Sequence, residues 1–223
     1  MLDTGLAARN APRGRRRGGW RGIFAVAVFL TASVAGADEP GGAADVIRSL
    51  NTSFEELLRD AEKLGYAGRL ERLSPVIDKT YDLEFMARTA IGREWDELSE
   101  ADRKRWVEAF SHLTKANYAG RFDHWSGQKF EFLGEEPSAN DTEIVRTRVI
   151  DPGKESVDIN YRLRKGDTGW KVIDIYLKGT VSELALRRSE YSALLKREGF
   201  EALIASIERK IAELQSGAAS PTS

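Results

Sequence analysis

From residue 46 onward, apolar residues recur every three or four positions, and this spacing predicts amphipathic helices in the first half of the chain. A stripe over 46–64 and a shorter one over 70–77 mark the first two helices. Asp82 is placed to cap a third helix, and Ser99 opens a fourth that runs to about residue 121.

Near residue 127 the spacing of apolar residues changes to two, which is typical of β-strands. Helices, then strands joined by short turns, then helices again indicate an α+β fold in which N-terminal and C-terminal helices pack on one sheet. No linker interrupts 45–214, so we expect a single domain there. The predicted elements are a four-strand antiparallel meander at about 128–134, 142–150, 155–164 and 169–177, followed by helices at 183–197 and 200–214.

The fourth strand does not alternate cleanly between apolar and polar residues. A strand that is apolar on both faces fits a sheet with helices on one side and an apolar pocket on the other. Asp174 stands among these apolar residues, either as a general base in a cavity or as an acid at the strand rim, paired there with an arginine. Strict alternation puts Trp170, Val172, Asp174 and Tyr176 on one face and Ile173, Ile175 and Leu177 on the other.

The N-terminus has the composition of a secretory signal peptide. Six arginines lie within residues 1–22, and an apolar run of 15 residues at 23–37 ends in Ala35-Gly36-Ala37. The alternative is an uncleaved anchor, but a membrane span needs about 20 apolar residues. We therefore expect cleavage near Ala37 and a periplasmic protein, with a flexible leading segment at 38–44 and a disordered tail at 215–223.

Charge and cysteine content exclude several classes of function. The whole chain has 34 basic and 35 acidic residues, and a leader with six Arg and one Asp takes 28 and 34 into the mature chain, a net charge of −6. An acidic domain argues against a nucleic-acid partner. The chain has no cysteine, so thiol catalysis, thiolate metal sites and disulfides are excluded.

No motif for a cofactor, a metal or a catalytic centre is present in the sequence. The histidines, His112 and His124, lie 12 positions apart without the spacing of a zinc site, and we expect them at the surface. Neither a phosphate-binding loop nor a G-x-S-x-G turn occurs. The basic helix predicted at 183–197 is either a solvated face or a contact for lipid headgroups or an acidic partner.

Several stretches together resemble the Mla (toluene-tolerance) family of periplasmic lipid-shuttle proteins. The family's Met-Ala-Arg, Gly and Trp fall on Met86-Ala87-Arg88, Gly92 and Trp95. Its Tyr-Arg-Leu strand falls on Tyr161-Arg162-Leu163, and its Trp-Lys-Val with a following Asp falls on Trp170-Lys171-Val172 and Asp174. The similarity covers about residues 45–214. In the stretch "GTVSELALRR", which begins at Gly179, the chain departs from the main branch and looks closer to the hopanoid-associated branch.

The resemblance implies a cone like that of nuclear transport factor, with an apolar pocket and no catalysis. It also implies a phospholipid or hopanoid ligand, and as partners an inner-membrane ABC-transporter complex and an outer-membrane lipoprotein complex. No cofactor is expected. The residues we predict to contact lipid are Phe85, Ile91, Phe110, Leu113, Val149, Ile159, Tyr161, Val172, Ile175 and Leu177.

Two other functions are compatible with the sequence. An envelope adaptor would show a large exposed apolar patch in place of a closed cavity. An isomerase or hydrolase on the same cone would use Asp174 as its base.

Overall fold

The computed structural model describes residues 41–217, so the predicted signal peptide lies outside the described residues. Its elements are six α-helices, one 3-10 helix and five strands. The helices are α1 (Ala43–Arg59), α2 (Ala61–Thr80), α3 (Leu83–Ile91), α4 (Glu100–Arg121), α5 (Glu183–Glu198) and α6 (Phe200–Ser216), with the 3-10 helix at Gly92–Glu97. The strands are β1 (Lys129–Ser138), β2 (Thr142–Ile150), β3 (Val157–Gly166), β4 (Gly169–Leu177) and β5 (Val181–Ser182).

The predicted α+β plan is confirmed, and so are the caps of two helices. Asp82 accepts a hydrogen bond from the Phe85 amide at 3.1 Å, and Ser99 accepts one from the Asp102 amide at 3.1 Å. The first helix begins at Ala43, two residues before the boundary expected at 45, because Ala43 and Ala44 are buried. At the other end, α6 continues to Ser216.

The sheet is an antiparallel meander in the order β1-β2-β3-β4-β5, with one strand more than the four predicted. The fifth strand is two residues long, too short to carry a periodic signal, and it pairs with the end of β4. Lys178 and Gly179, at φ 52° and 74°, turn the chain back between the two strands.

A β-bulge at Ile173 explains why β4 is apolar on both faces in the sequence. Leu163 pairs with Val172, and the next register pair is Arg162 with Asp174, so Ile173 has no cross-strand partner. The extra residue shifts the alternation by one position. Our assignment of faces beyond the bulge was therefore wrong: Val172, Ile175 and Leu177 share the face of the buried residues on β3, and Asp174 faces the other way.

The core lies on one side of the sheet, between the sheet and the helices. Val145, Tyr161 and Ile175 are direct cross-strand neighbours on this inner face. The outer face is polar, and Arg148 and Asp158 pair across it at 2.6 Å. The expectation of helices on one side and a pocket on the other was wrong, because the bulge had made β4 look apolar on both faces.

Asp174 anchors the start of α5 to the sheet. Its carboxylate accepts hydrogen bonds from the Ser182 hydroxyl at 2.7 Å and from the Leu184 amide at 3.2 Å. The Ser182 hydroxyl oxygen in turn accepts a bond from the Ala185 amide at 3.0 Å. The acid is thus part of a helix cap, a favourable place for negative charge, and within residues 41–217 it pairs with no arginine.

We predict that Asp174→Ala lowers the free energy of unfolding by about 2 kcal/mol, because it removes a charged cap and leaves amides at the start of α5 without a partner. Urea unfolding followed by circular dichroism measures the change. Asp167→Ala, at the exposed turn between β3 and β4, is the matched control and is expected to change stability by less than about 0.5 kcal/mol. Equal stabilities of the two variants would contradict the cap.

Candidate functional site

A small apolar cavity lies between the sheet and three helices. Its volume is about 40 Å³, room for a few water molecules at most. Residues of α3, α4, β4 and α5 form its wall, and the apolar ones are Met86, Phe110, Tyr118, Ile175 and Leu184.

A wider groove of about 470 Å³ opens to solvent beside this cavity, between α4, α5, α6 and the end of β4. The two spaces share part of their walls. The shared residues are all polar: Asn117, Arg121, Glu183 and Arg187. We call these four residues the junction, because they separate the apolar cavity from the open groove.

An ion pair within α5 joins two of the four junction residues. The Arg187 guanidinium donates to Glu183 Oε1 through Nη2 at 2.6 Å and Nε at 3.1 Å, and the two side chains are 16% and 21% exposed. Burial lowers the pKa of Arg187, but the Glu183 carboxylate and Tyr191 outweigh that effect and raise it overall, so the group stays charged. Arg121, by contrast, is exposed, and its guanidinium forms no hydrogen bond or ion pair within residues 41–217.

Two tyrosine hydroxyls satisfy each other beside the cavity. The hydroxyls of Tyr81 and Tyr118 are joined by a hydrogen bond, and both rings lie in the core. Burial raises the pKa of both phenols well above the ordinary value, so they remain neutral. The cavity wall away from the junction therefore carries no charge, which suits an apolar ligand.

The ten residues predicted to contact lipid are spread over three regions of the structure. Phe110 and Ile175 line the cavity, and Leu113 and Leu177 line the groove. The other six line neither space and belong to the packed interior or its margin: Phe85, Ile91, Val149, Ile159, Tyr161 and Val172. As lipid contacts, all ten stay a prediction.

The prediction missed the junction, because it selected pocket residues by apolar character. Part of the junction could have been predicted from the sequence. One face of α4 carries four cavity residues at helical spacing: Phe110, Thr114, Asn117 and Arg121. Glu183 and Arg187 stand four positions apart on α5, a spacing at which opposite charges meet.

Residues considered for catalysis or metal binding lie elsewhere. Asp174 lines neither the cavity nor the groove, and its oxygens are occupied by the α5 cap. His112 is exposed, and His124 is exposed beside Asp123. Within residues 41–217, no group of three or more histidine or acidic residues could hold a metal ion, and no helix is long and apolar enough to cross a membrane.

The fold and the cavity define the class of protein: an α+β domain whose helices enclose an apolar interior against one face of an antiparallel sheet. A sequence model of the MlaC protein family matches residues 48–209. The chain belongs to the MlaC family.

A solved structure supports the same fold. It is that of a phospholipid-binding protein from Ralstonia solanacearum in complex with a phospholipid, with a TM-score of 0.68 at 21% sequence identity. The match covers 78% of this chain and 98% of that chain. A comparison with curated proteins finds no match.

We predict that Glu183→Gln lowers the free energy of unfolding by about 2 kcal/mol, since it leaves the largely buried Arg187 charge without its carboxylate. The double variant Glu183→Gln/Arg187→Met should be less destabilised than the two single variants added together, because the charge that lost its partner is gone. Urea unfolding of the wild type, the two single variants and the double variant measures the coupling energy between the two residues. Glu190→Gln, an exposed position on the same helix, is the control, and a loss as large there would contradict the role of the pair.

Proposed function

We propose that this protein is a periplasmic lipid-binding carrier and that lipid tails occupy an enlarged form of the apolar cavity. The observation that carries the proposal is the junction: the first turns of α5 and two polar residues of α4 are what separate an uncharged apolar interior from an open groove. The family membership and the phospholipid-binding structural neighbour support the same function.

The cavity must expand before it can hold a tail. Pockets for molecules of this size measure roughly 300–1,000 Å³, whereas the cavity in this closed state is about 40 Å³. Each buried CH₂ group contributes about 0.8 kcal/mol, so two tails can offset the loss of several contacts that hold the closed state together. Lipid uptake is therefore coupled to opening.

Helix α5 is the element that moves in this proposal. Leu184 is its one buried residue, whereas α6 buries Leu203, Ile204 and Ile207. Gly179 and Gly199 stand before and after α5 at φ 74° and 83°, where the chain can turn freely.

The far end of α5 is attached by polar contacts and by the partly buried side chains of Tyr191, Leu194 and Leu195. The Ser192 hydroxyl donates to the Ile91 carbonyl at 3.0 Å, and Lys196 pairs with Glu94 at 2.8 Å. The polar contacts can be replaced by water, and α5 buries one residue where α6 buries three, so we infer that lifting α5 requires less free energy than lifting α6.

The wider setting follows from the predicted leader and the resemblance. A cleaved signal peptide places the carrier in the periplasm, where it exchanges lipid with an inner-membrane ABC-transporter complex and an outer-membrane lipoprotein complex. Phospholipid and hopanoid are the two ligands considered. A lipid carrier binds and releases its ligand without making or breaking covalent bonds, so the protein acts as a transport protein and not as an enzyme.

Organic extraction of the purified mature protein, followed by mass spectrometry, is the direct test, and we expect co-purified lipid. Ile175→Phe fills the cavity with an apolar ring and is expected to reduce the retained lipid severalfold, and Ile175→Glu to abolish retention. Leu133→Glu makes the same change of charge at a side chain that is 41% exposed and should retain the normal amount. Absence of lipid, also after expression in a hopanoid-producing host, would sink the proposal.

A second prediction tests which helix opens. Glu94→Gln with Ser192→Ala removes the contacts at the far end of α5, so amide hydrogen exchange in α5 and transfer of lipid to vesicles should both become faster.

The control for the opening helix is a disulfide between α4 and α6. A Cβ placed at Gly120 would lie 3.9 Å from Leu214 Cβ, which suits a disulfide. Gly120→Cys/Leu214→Cys should therefore fix α6 and leave transfer unchanged. If the oxidised protein stops transferring lipid, α6 is the moving element and the assignment to α5 is wrong.

A further inference from the structure

The junction lies where the polar head of a bound lipid has to be. An amphipathic ligand whose tails fill the cavity must cross the shared wall to reach solvent, because the groove is the open space on the other side. The side chains of the junction therefore face the first polar atoms after the tails. Their chemistry selects the class of headgroup.

Two guanidinium groups and one carboxylate meet there, so the junction carries a net positive charge. Arg187 keeps donors in reserve, since its bonds to Glu183 use Nε and Nη2, while the contact of Nη1 with the Tyr191 hydroxyl is long at 3.4 Å. Glu183 thus orients the guanidinium without using all of its N–H groups. Within the described part of the chain, the guanidinium of Arg121 has all of its N–H donors available. Its planar arrangement of donors matches a pair of phosphate oxygens.

Charges farther out in the groove are more evenly balanced. Lys210 pairs with Glu213 at 3.4 Å, and Glu190 stands on the same wall as Arg209. The excess of positive charge next to the apolar cavity is therefore a local property of the junction. A neutral polyol head would find one amide, Asn117, and one excess positive charge that it cannot neutralise.

We propose that the junction is a phosphodiester site in which Arg121 and Arg187 bind the phosphate of the lipid head, so that these two residues discriminate against ligands with a neutral head. The assignment rests on the proposed carrier function and adds the headgroup class to it.

The test compares ligands with identical tails. Delipidated protein is loaded with a fluorescent phosphatidylglycerol, which is then displaced by unlabelled phosphatidylglycerol, by diacylglycerol with the same chains, by a neutral hopanoid, or by inorganic phosphate. Loss of charge-assisted hydrogen bonds corresponds to about a tenfold or larger loss of affinity. We therefore expect phosphatidylglycerol to displace the probe at a concentration at least about tenfold below that of diacylglycerol or hopanoid.

Arg121 gives the decisive variant, because it is exposed and its replacement leaves the core intact. Arg121→Ala should weaken phosphatidylglycerol about tenfold and leave diacylglycerol unchanged, and Arg121→Lys should restore part of the difference. Arg197→Ala removes the same charge at the solvated end of α5, where the side chain is 67% exposed, and should behave like the wild type.

Each other outcome counts against the assignment. Equal displacement by phosphatidylglycerol and diacylglycerol, or an equal loss for both in Arg121→Ala, would overturn the phosphodiester site while the carrier function stands. Displacement by inorganic phosphate alone would show a free-anion site in place of a lipid headgroup site. A protein that binds no lipid at all overturns the carrier function, and the headgroup site with it.

Discussion

The position of α5 depends on one carboxylate, that of Asp174. The bulge at Ile173 turns Asp174 away from the core and toward the returning chain, where its carboxylate accepts hydrogen bonds from the Ser182 hydroxyl and the Leu184 amide. The same bulge turns Ile175 inward to line the cavity. If Ile173 were paired in a regular register, Ile175 would face solvent and Asp174 would enter the core unpaired, which is strongly unfavourable. The bulge therefore determines both the position of α5, which covers the cavity, and the presence of Ile175 in the cavity wall.

A covering helix that is capped at one end and has Leu184 as its one buried residue suits reversible opening of the cavity. The Glu183–Arg187 pair lies within α5, four positions apart, so it moves with the helix and is largely buried in the closed state. It adds little net stability, since bringing two charges out of water costs nearly what their attraction returns. When α5 lifts, both groups regain water. A hydrophobic pair in the same place would seal the cavity more firmly and would resist release.

The sequence allowed most of the fold to be predicted, and the reasons are local. Asp82 and Ser99 cap helices through contacts within three residues, so their residue types and spacing are sufficient. The bulge could not be predicted in this way, because a rule of strict alternation assigns Ile173 to a face whatever its partner strand does. Only the apolar part of the site was predicted from the sequence, for a related reason. Apolar type identified Phe110 and Ile175, but Arg121 and Arg187 become site residues only when α4 and α5 are brought together in three dimensions.

The closed state also constrains how strongly lipid can be held. Around the cavity, Phe54 packs on the rings of Tyr118, Phe122 and Phe130, with ring centroids 4.6 to 5.9 Å apart. Beside this packing the cavity measures about 40 Å³, so tails that enter must replace contacts among side chains as well as contacts with water. The observed free energy of lipid binding is then the favourable contribution of burying the tails minus the free energy needed to open the cavity. A membrane complex that binds the open form better shifts this balance by its difference in affinity for the two forms, and it can load or unload the carrier without touching the tails.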